Sequence, residues 1–165
     1  MKKQVRFTVT AGIIAALYAV LTYLSAALGL AYGPIQFRLS EGLCVLAAAT
    51  PAAIPGLVVG CVVSNLASPF GVVDIICGTL ATLLAAVAGY LFRRCRVCGL
   101  PWVAMLAPVI ANGLIVGAEV AFLTAADGAF AATFWITALE VALGEIVVCF
   151  ALGSIVWKAS EKIKF

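Results

Sequence analysis

The chain has 165 residues, 65% of them hydrophobic and only 10% charged, with a mean hydropathy of +1.23; a soluble domain carries about 25% charge, so a soluble fold is excluded and the apolar excess must face lipid. The net charge of +3 is not arranged as a basic stripe interleaved with aromatic residues, which excludes a nucleic-acid partner. Histidine is absent, removing Ser-His and Cys-His nucleophile pairs and histidine metal ligation, and no Walker-type glycine-rich phosphate loop occurs. The chain is therefore predicted to be no enzyme and to carry neither cofactor nor metal.

The first predicted helix follows Lys2, Lys3 and Arg6 and runs from Phe7 to about Leu30. It is too long for the apolar stretch of a cleavable signal peptide and is expected to stay as a span. Ala11, Ala15 and Ala19 recur at every fourth position, a stripe that permits close helix approach. The loop from Gly29 to Ser40 carries Tyr32, Gly33, Pro34, Gln36, Phe37 and Arg38, too aromatic and turn-rich for a mere linker. Arg38 is expected to pair with Glu41 three residues on, with ligand contact as the alternative.

The next apolar stretch, Leu39 to Leu66, is broken by Thr50-Pro51-Ala52-Ala53-Ile54-Pro55, because proline lacks an amide donor and restricts its predecessor. Two short helices, about 39–50 and 52–66, are predicted. The first reaches only about 18 Å at 1.5 Å per residue and needs shelter by its neighbours, a hint of a cavity. The remaining helices are placed at about 72–92, 102–124 and 130–157. Gly56/Gly60 and Gly113/Gly117 form GxxxG pairs suited to packing within or between chains.

Reading the 39–66 stretch as two crossings puts three basic clusters on one side: the N-terminal one, Arg93, Arg94 and Arg96, and Lys158, Lys162 and Lys164. By the positive-inside bias that side is cytoplasmic. The expected architecture is an all-α integral membrane protein of the cell membrane, a single domain with six transmembrane helices and both termini cytoplasmic. Of six cysteines, Cys44, Cys61, Cys77 and Cys149 sit in apolar spans as small hydrophobes, while Cys95 and Cys98 read as a plain loop pair.

Carboxylates inside spans are costly and point to function. Asn112 and Glu119 share one face of the fifth predicted helix, and Thr133, Thr137, Glu140 and Gly144 share a stripe on the sixth. Facing each other, they would line an outward polar cleft with Asn65, Asp74 and the first external loop at its mouth, a plausible small-molecule site. Glu145 lies deeper and about 140° around its helix from Glu140. Polar residues such as Asn65 and the threonines also serve as interhelical glue.

Gly33-Pro34-Ile35-Gln36-Phe37-Arg38-Leu39-Ser40-Glu41, then Ala53-Ile54-Pro55-Gly56 and Gly60-Cys61 through Asn65, resemble the QueT family of queuosine-precursor transporters, substrate-binding S components of energy-coupling factor (ECF) transporters. The resemblance extends over the whole chain, with the first stretch its most specific part. It implies six helices with cytoplasmic ends, and an Ala-xxx-Ala stripe on the first helix, here Ala11, Ala15 and Ala19, that docks on a membrane-embedded T component. It implies that two partner ATPase subunits supply the power and that the chain topples to deliver its ligand inward. The implied ligands are 7-deazaguanines such as queuine or its precursors. Their donor edge suits Glu140 or Glu119, their carbonyl suits Asn112 or Gln36, and their flat face suits Trp135, Phe37 or Tyr32. Thr137 and Asn65 complete the expected lining. An aminomethylated precursor is a cation that a second carboxylate such as Asp74 would complement. Trp135 also fits an interfacial anchor. Competing expectations are an S component for another vitamin or heterocycle, and a stand-alone proton-coupled secondary transporter using Glu119, Glu140 and Glu145.

Overall fold

A computed structural model describes residues 2–33 and 35–163. Pro34 of the external loop and Lys164 of the last basic cluster lie outside the described residues. The described residues form five α-helices and one 3-10 helix: α1 (Lys3–Ala27), the 3-10 helix (Leu39–Ala48), α2 (Ala53–Asn65), α3 (Val72–Leu91), α4 (Trp102–Thr124) and α5 (Phe130–Ser160). Four of them, α1, α3, α4 and α5, are long and apolar enough to cross a membrane.

The ends of the helices follow their local chemistry. α1 stops at Gly29, whose φ of +72° only glycine adopts without strain. The amides of Gly29 and Leu30 donate to the carbonyls of Ala26 and Ser25 at 2.9 and 2.8 Å, satisfying two otherwise orphaned acceptors as in a Schellman cap. Pro51 falls in the turn before α2, and Pro55 sits in the first turn of α2, where no amide donor is needed.

The second predicted element differs from expectation in type. Leu39–Ala48 winds as a 3-10 helix, and ten such residues are unusual because side chains three apart eclipse. Two of its columns ease this by pairing larger residues with small ones: Glu41 with Cys44 and Ala47, and Val45 with Gly42 and Ala48. Every residue from Ser40 to Ala48 is buried. Leu43, Cys44, Leu46 and Ala47 pack with Ile14, Tyr18, Leu57 and Cys61 of α1 and α2. Val45 and Ala48 pack with Ala104, Met105 and Trp157 of α4 and α5. The short helix is the axle of the bundle, wrapped by the longer ones.

Both GxxxG pairs are used inside the chain. A Cβ on Gly56 would meet the Ala11 carbonyl oxygen at 2.7 Å, and one on Gly60 the Ala15 carbonyl oxygen at 2.8 Å, so α2 runs directly along the alanine stripe of α1. A Cβ on Gly117 would meet the Ala138 Cα at 2.7 Å, and one on Gly113 the Ala142 Cβ at 3.3 Å. Thr137 Oγ1 donates to the Gly117 carbonyl at 2.7 Å and pins that crossing. Ala19 is buried, whereas Ala11 and Ala15 are half-buried.

Three basic clusters gather at one end. Arg96 lies 4.0 Å from Glu161 and over the Trp157 ring, which joins the α3–α4 turn to the end of α5. Arg6 of α1 borders a groove with Ser160 and Ile163. At the opposite end Tyr32 meets Phe70 edge-on, and Arg38 reaches Asp74 at 3.3 Å, tying the first interhelical loop to the start of α3. The expected Arg38–Glu41 pair does not form: Arg38 turns away to Asp74, and Glu41 on the 3-10 helix is instead engaged by Tyr18 and Cys44. Three residues on a 3-10 helix place side chains in one column, but Arg38 caps the helix with extended backbone and leaves that column.

Candidate functional site

Two polar clusters are buried in this apolar bundle, at different depths. The outer one, at the end away from the basic clusters, begins with the loop before the 3-10 helix. Gln36 is 3% exposed, and its backbone presses on Gly144 of α5, where any side chain would collide with it. That seating delivers Arg38 into the bundle. Its guanidinium donates to both Asp74 carboxylate oxygens at 3.3 and 3.4 Å and, through Nε, to the Ala31 carbonyl at 3.3 Å. Burial, the largest single influence, would lower its pKa, but Asp74 together with Tyr18, Cys61 and Glu41 outweighs that and raises it, so the charge is held.

Asp74 stands in the first turn of α3, where the helix dipole favours an anion. Asn65, the last residue of α2, donates from Nδ2 to the Asp74 carbonyl at 2.9 Å and to Oδ1 at 3.4 Å. Gly78, one turn beyond Asp74, leaves room for the group: a Cβ there would sit 2.6 Å from Asn65 Nδ2. The Tyr32 ring lies 5.3 Å from the Arg38 guanidinium carbon, in cation–π range.

What sets this cluster apart is its unmet hydrogen-bonding capacity. Among the described residues, both carboxylate oxygens of Glu119, Oδ1 of Asn65 and the hydroxyl of Tyr32 are buried without a partner. Glu119, on α4, is 4% exposed and within electrostatic reach of Asp74 and Arg38. It also borders a groove of about 500 Å³ walled by Val73, Cys77, Leu114, Phe122 and Phe130. Buried polar atoms are normally bonded, so such a concentration beside one ion pair asks for an explanation.

The inner cluster is satisfied. The Tyr18 hydroxyl donates to Glu41 Oε1, and the Cys44 thiol to Oε2 at 3.1 Å. Thr22 donates to Ser40 at 2.8 Å. Asn112 Nδ2 donates to Glu145 Oε1 at 3.1 Å, while the Cys149 thiol lies 3.5 Å from Glu145 Oε2 and 3.7 Å from the Glu41 carbonyl oxygen. The two carboxylates thus join α1, the 3-10 helix, α4 and α5.

The structure brings Tyr32, Asn65 and Asp74 together from the sequence-derived set, with Glu119 within electrostatic reach, joins to them Arg38, for which ligand contact was the alternative to pairing with Glu41, and adds Gly78, which composition gave no reason to place there. Gln36 supports the cluster through its backbone. Asn112 is engaged with Glu145 and not with Glu140, and Thr137 with the α4 backbone. Glu140 and Phe37 are half-buried, and Trp135 is 62% exposed, packed against Phe134. Cys95 and Cys98 are exposed free thiols, and the described residues include no group of three or more Cys, Asp or Glu placed to hold a metal ion.

The family model of the QueT transporter matches residues 8–162. The chain is also 42% identical over 92 residues to the queuosine precursor transporter QueT of Lactococcus lactis subsp. cremoris. That alignment takes in 55% of this chain and 54% of the relative, so the chain spans about half the length of the curated relative it matches. No solved structure matches it significantly.

Proposed function

The chain belongs to the QueT transporter family, and from that premise we propose that it is a membrane-embedded capture subunit, an S component of an ECF-type importer, that binds a queuosine precursor of the 7-deazaguanine class. The observation that carries the ligand site is the set of unpartnered buried atoms around Arg38 and Asp74: four acceptor positions on Glu119, Asn65 and Tyr32, of which the hydroxyl can also donate. A guanine-like edge offers adjacent N–H donors to such acceptors, and the Tyr32 ring offers a flat face. Glu140 and Phe37, half-buried, are assigned to the rim. Trp135, exposed, suits an interfacial anchor better than a stacking platform.

In this reading the three basic clusters face the cytoplasm and the Arg38–Asp74 end faces outward. The ligand enters from outside, and partner proteins supply the energy: a T component docked along α1 and two ATPase subunits. The α1 stripe is shared, because Ala11 and Ala15 already abut Gly56 and Gly60 through their backbone. Docking on this helix therefore uses what the half-buried Ala11 and Ala15 leave free, together with the exposed Gly12 and Ala16 beside them.

The test is calorimetric titration of the purified chain, in detergent and without partners, with queuine and smaller 7-deazaguanines beside unrelated vitamins. One-to-one binding of a deazaguanine is expected. A folded chain that binds only another heterocycle would keep the capture role and replace the ligand; one that binds none of them would remove the solitary-capture reading.

A further inference from the structure

We propose that the groove between α1 and α5 is a lipid site: it holds one acyl chain of an anionic phospholipid, whose phosphate Arg6 receives at the basic end of the bundle. The groove exists because α1 and α5 do not pack against one another among the described residues, and the short 3-10 helix lies between them. Leu43 and Leu46 of that helix, both buried, form its floor, with Ile13 and Leu17 of α1 and Val156 of α5 as walls. Ile13 is 56% and Leu17 47% exposed, so the fold leaves this apolar surface open. The cavity measures about 540 Å³. From Arg6 to Leu17 it runs about 16 Å at 1.5 Å per residue, roughly half of a ~30 Å hydrocarbon layer and hence the depth of one leaflet.

The mouth singles this groove out. A second groove, between α3 and α4, is nearly as large at about 500 Å³ but is lined by apolar side chains alone, so any lipid tail would satisfy it. The α1–α5 groove adds a cation, Arg6, and two hydroxyls, Thr10 and Ser160. Arg6 and Thr10 are four residues apart and share one face of α1. The ion pairs among the described residues take Arg38 and Arg96 and leave Arg6 free. Glu161, the carboxylate beside Ser160 in the chain, is the partner of Arg96, while Lys158 and Lys162 flank the same stretch. A basic pocket where an apolar cleft between helices meets the headgroup layer suits an anionic headgroup, and a guanidinium matches phosphate with paired donors. A zwitterionic headgroup brings its own cation to that place and gains less. A free phosphate would meet Arg6 but leave the apolar floor uncovered. The site uses a set of α1 residues different from Gly12 and Ala16, and it does not depend on what the chain transports.

Native mass spectrometry of the purified full chain tests the assignment, in detergent with equal amounts of phosphatidylglycerol and phosphatidylcholine of identical acyl chains. One phosphatidylglycerol per chain is expected to be retained, in about fivefold preference or more. Arg6 is exposed, so Arg6→Gln is expected to fold and to bring that preference close to one. Arg94→Gln, which removes a cation of the same end outside this groove, should leave it unchanged. Ala159→Phe, which sets a ring into the groove, should reduce retention of both lipids. Equal retention in the unmodified chain, a preference that survives Arg6→Gln, an equal loss in Arg94→Gln, or undiminished retention in Ala159→Phe would each overturn the site. So would displacement of the lipid by inorganic phosphate at matched concentration, since the groove would then hold only an anion.

Discussion

The outer and inner polar clusters bury the same chemistry and treat it differently. In the inner one, Glu41 and Glu145 have every carboxylate oxygen met by a hydroxyl, thiol or amide from another position. In the outer one, Asp74 is met while Glu119, Asn65 Oδ1 and the Tyr32 hydroxyl are not. A satisfied cluster ties helices together; an unsatisfied one leaves hydrogen-bonding capacity unused within the chain. The contrast separates the carboxylates engaged by other helices from the one left unengaged, which their shared burial would not do.

The strongest way to break the contrast is to damage both clusters at once. Gly144→Ala sets a methyl against the Gln36 backbone, which cannot move without dragging Arg38 and the 3-10 helix behind it. Overpacking against backbone should cost about 3 kcal/mol or more. A chain of unchanged melting temperature would show that the loop seating is soft. Next, Asp74→Asn strands the Arg38 charge and should cost about 3–5 kcal/mol, with much of the loss recovered when Arg38→Met is added. Denaturation of the single and double variants measures this, and additive losses would deny the coupling.

Smaller effects sharpen the comparison. Glu119→Gln should leave stability nearly unchanged, because neither carboxylate oxygen has a partner to lose, while weakening ligand binding by about 1.5–3 kcal/mol. Glu145→Gln should do the reverse, keeping affinity and losing about 1 kcal/mol of stability as its contact with Cys149 is disturbed. If both variants lose affinity equally, the division into two clusters fails. Least of all, Trp135→Phe should alter affinity by less than about 0.5 kcal/mol, since an exposed ring replaced by another aromatic ring keeps its apolar face.

Much of the fold was legible because its signals are local. Prolines 51 and 55 marked the break that makes the short pair, and the basic residues marked which helix ends lie together. The 3-10 winding was not legible: it is settled by five helices packed around Leu39–Ala48, and no propensity in that segment announces it. Within the site, Asp74, Asn65 and Glu119 stood out as polar residues in apolar surroundings, and Tyr32 as an aromatic in a turn-rich loop. Their partners did not. Arg38 to Asp74 spans 36 positions and Asn112 to Glu145 spans 33, and helical periodicity, which orders neighbours on one helix, carries no information about which residue faces them from another. Gly78 was equally silent, since its role is the space it leaves.

The 3-10 helix repeats every three residues, so it presents three flat sides, like a three-sided key in a lock. One side turns Glu41 and Cys44 toward the α1 tyrosine, and the next sets Gly42 against Leu152 of α5. An inserted or deleted residue between Arg38 and Glu41 would rotate every side by a third of a turn, moving the carboxylate onto a wall built for a glycine. An α-helix of equal length would blur such an error across its surface; this one has no intermediate setting. The segment should therefore accept substitutions far more readily than any change in its length.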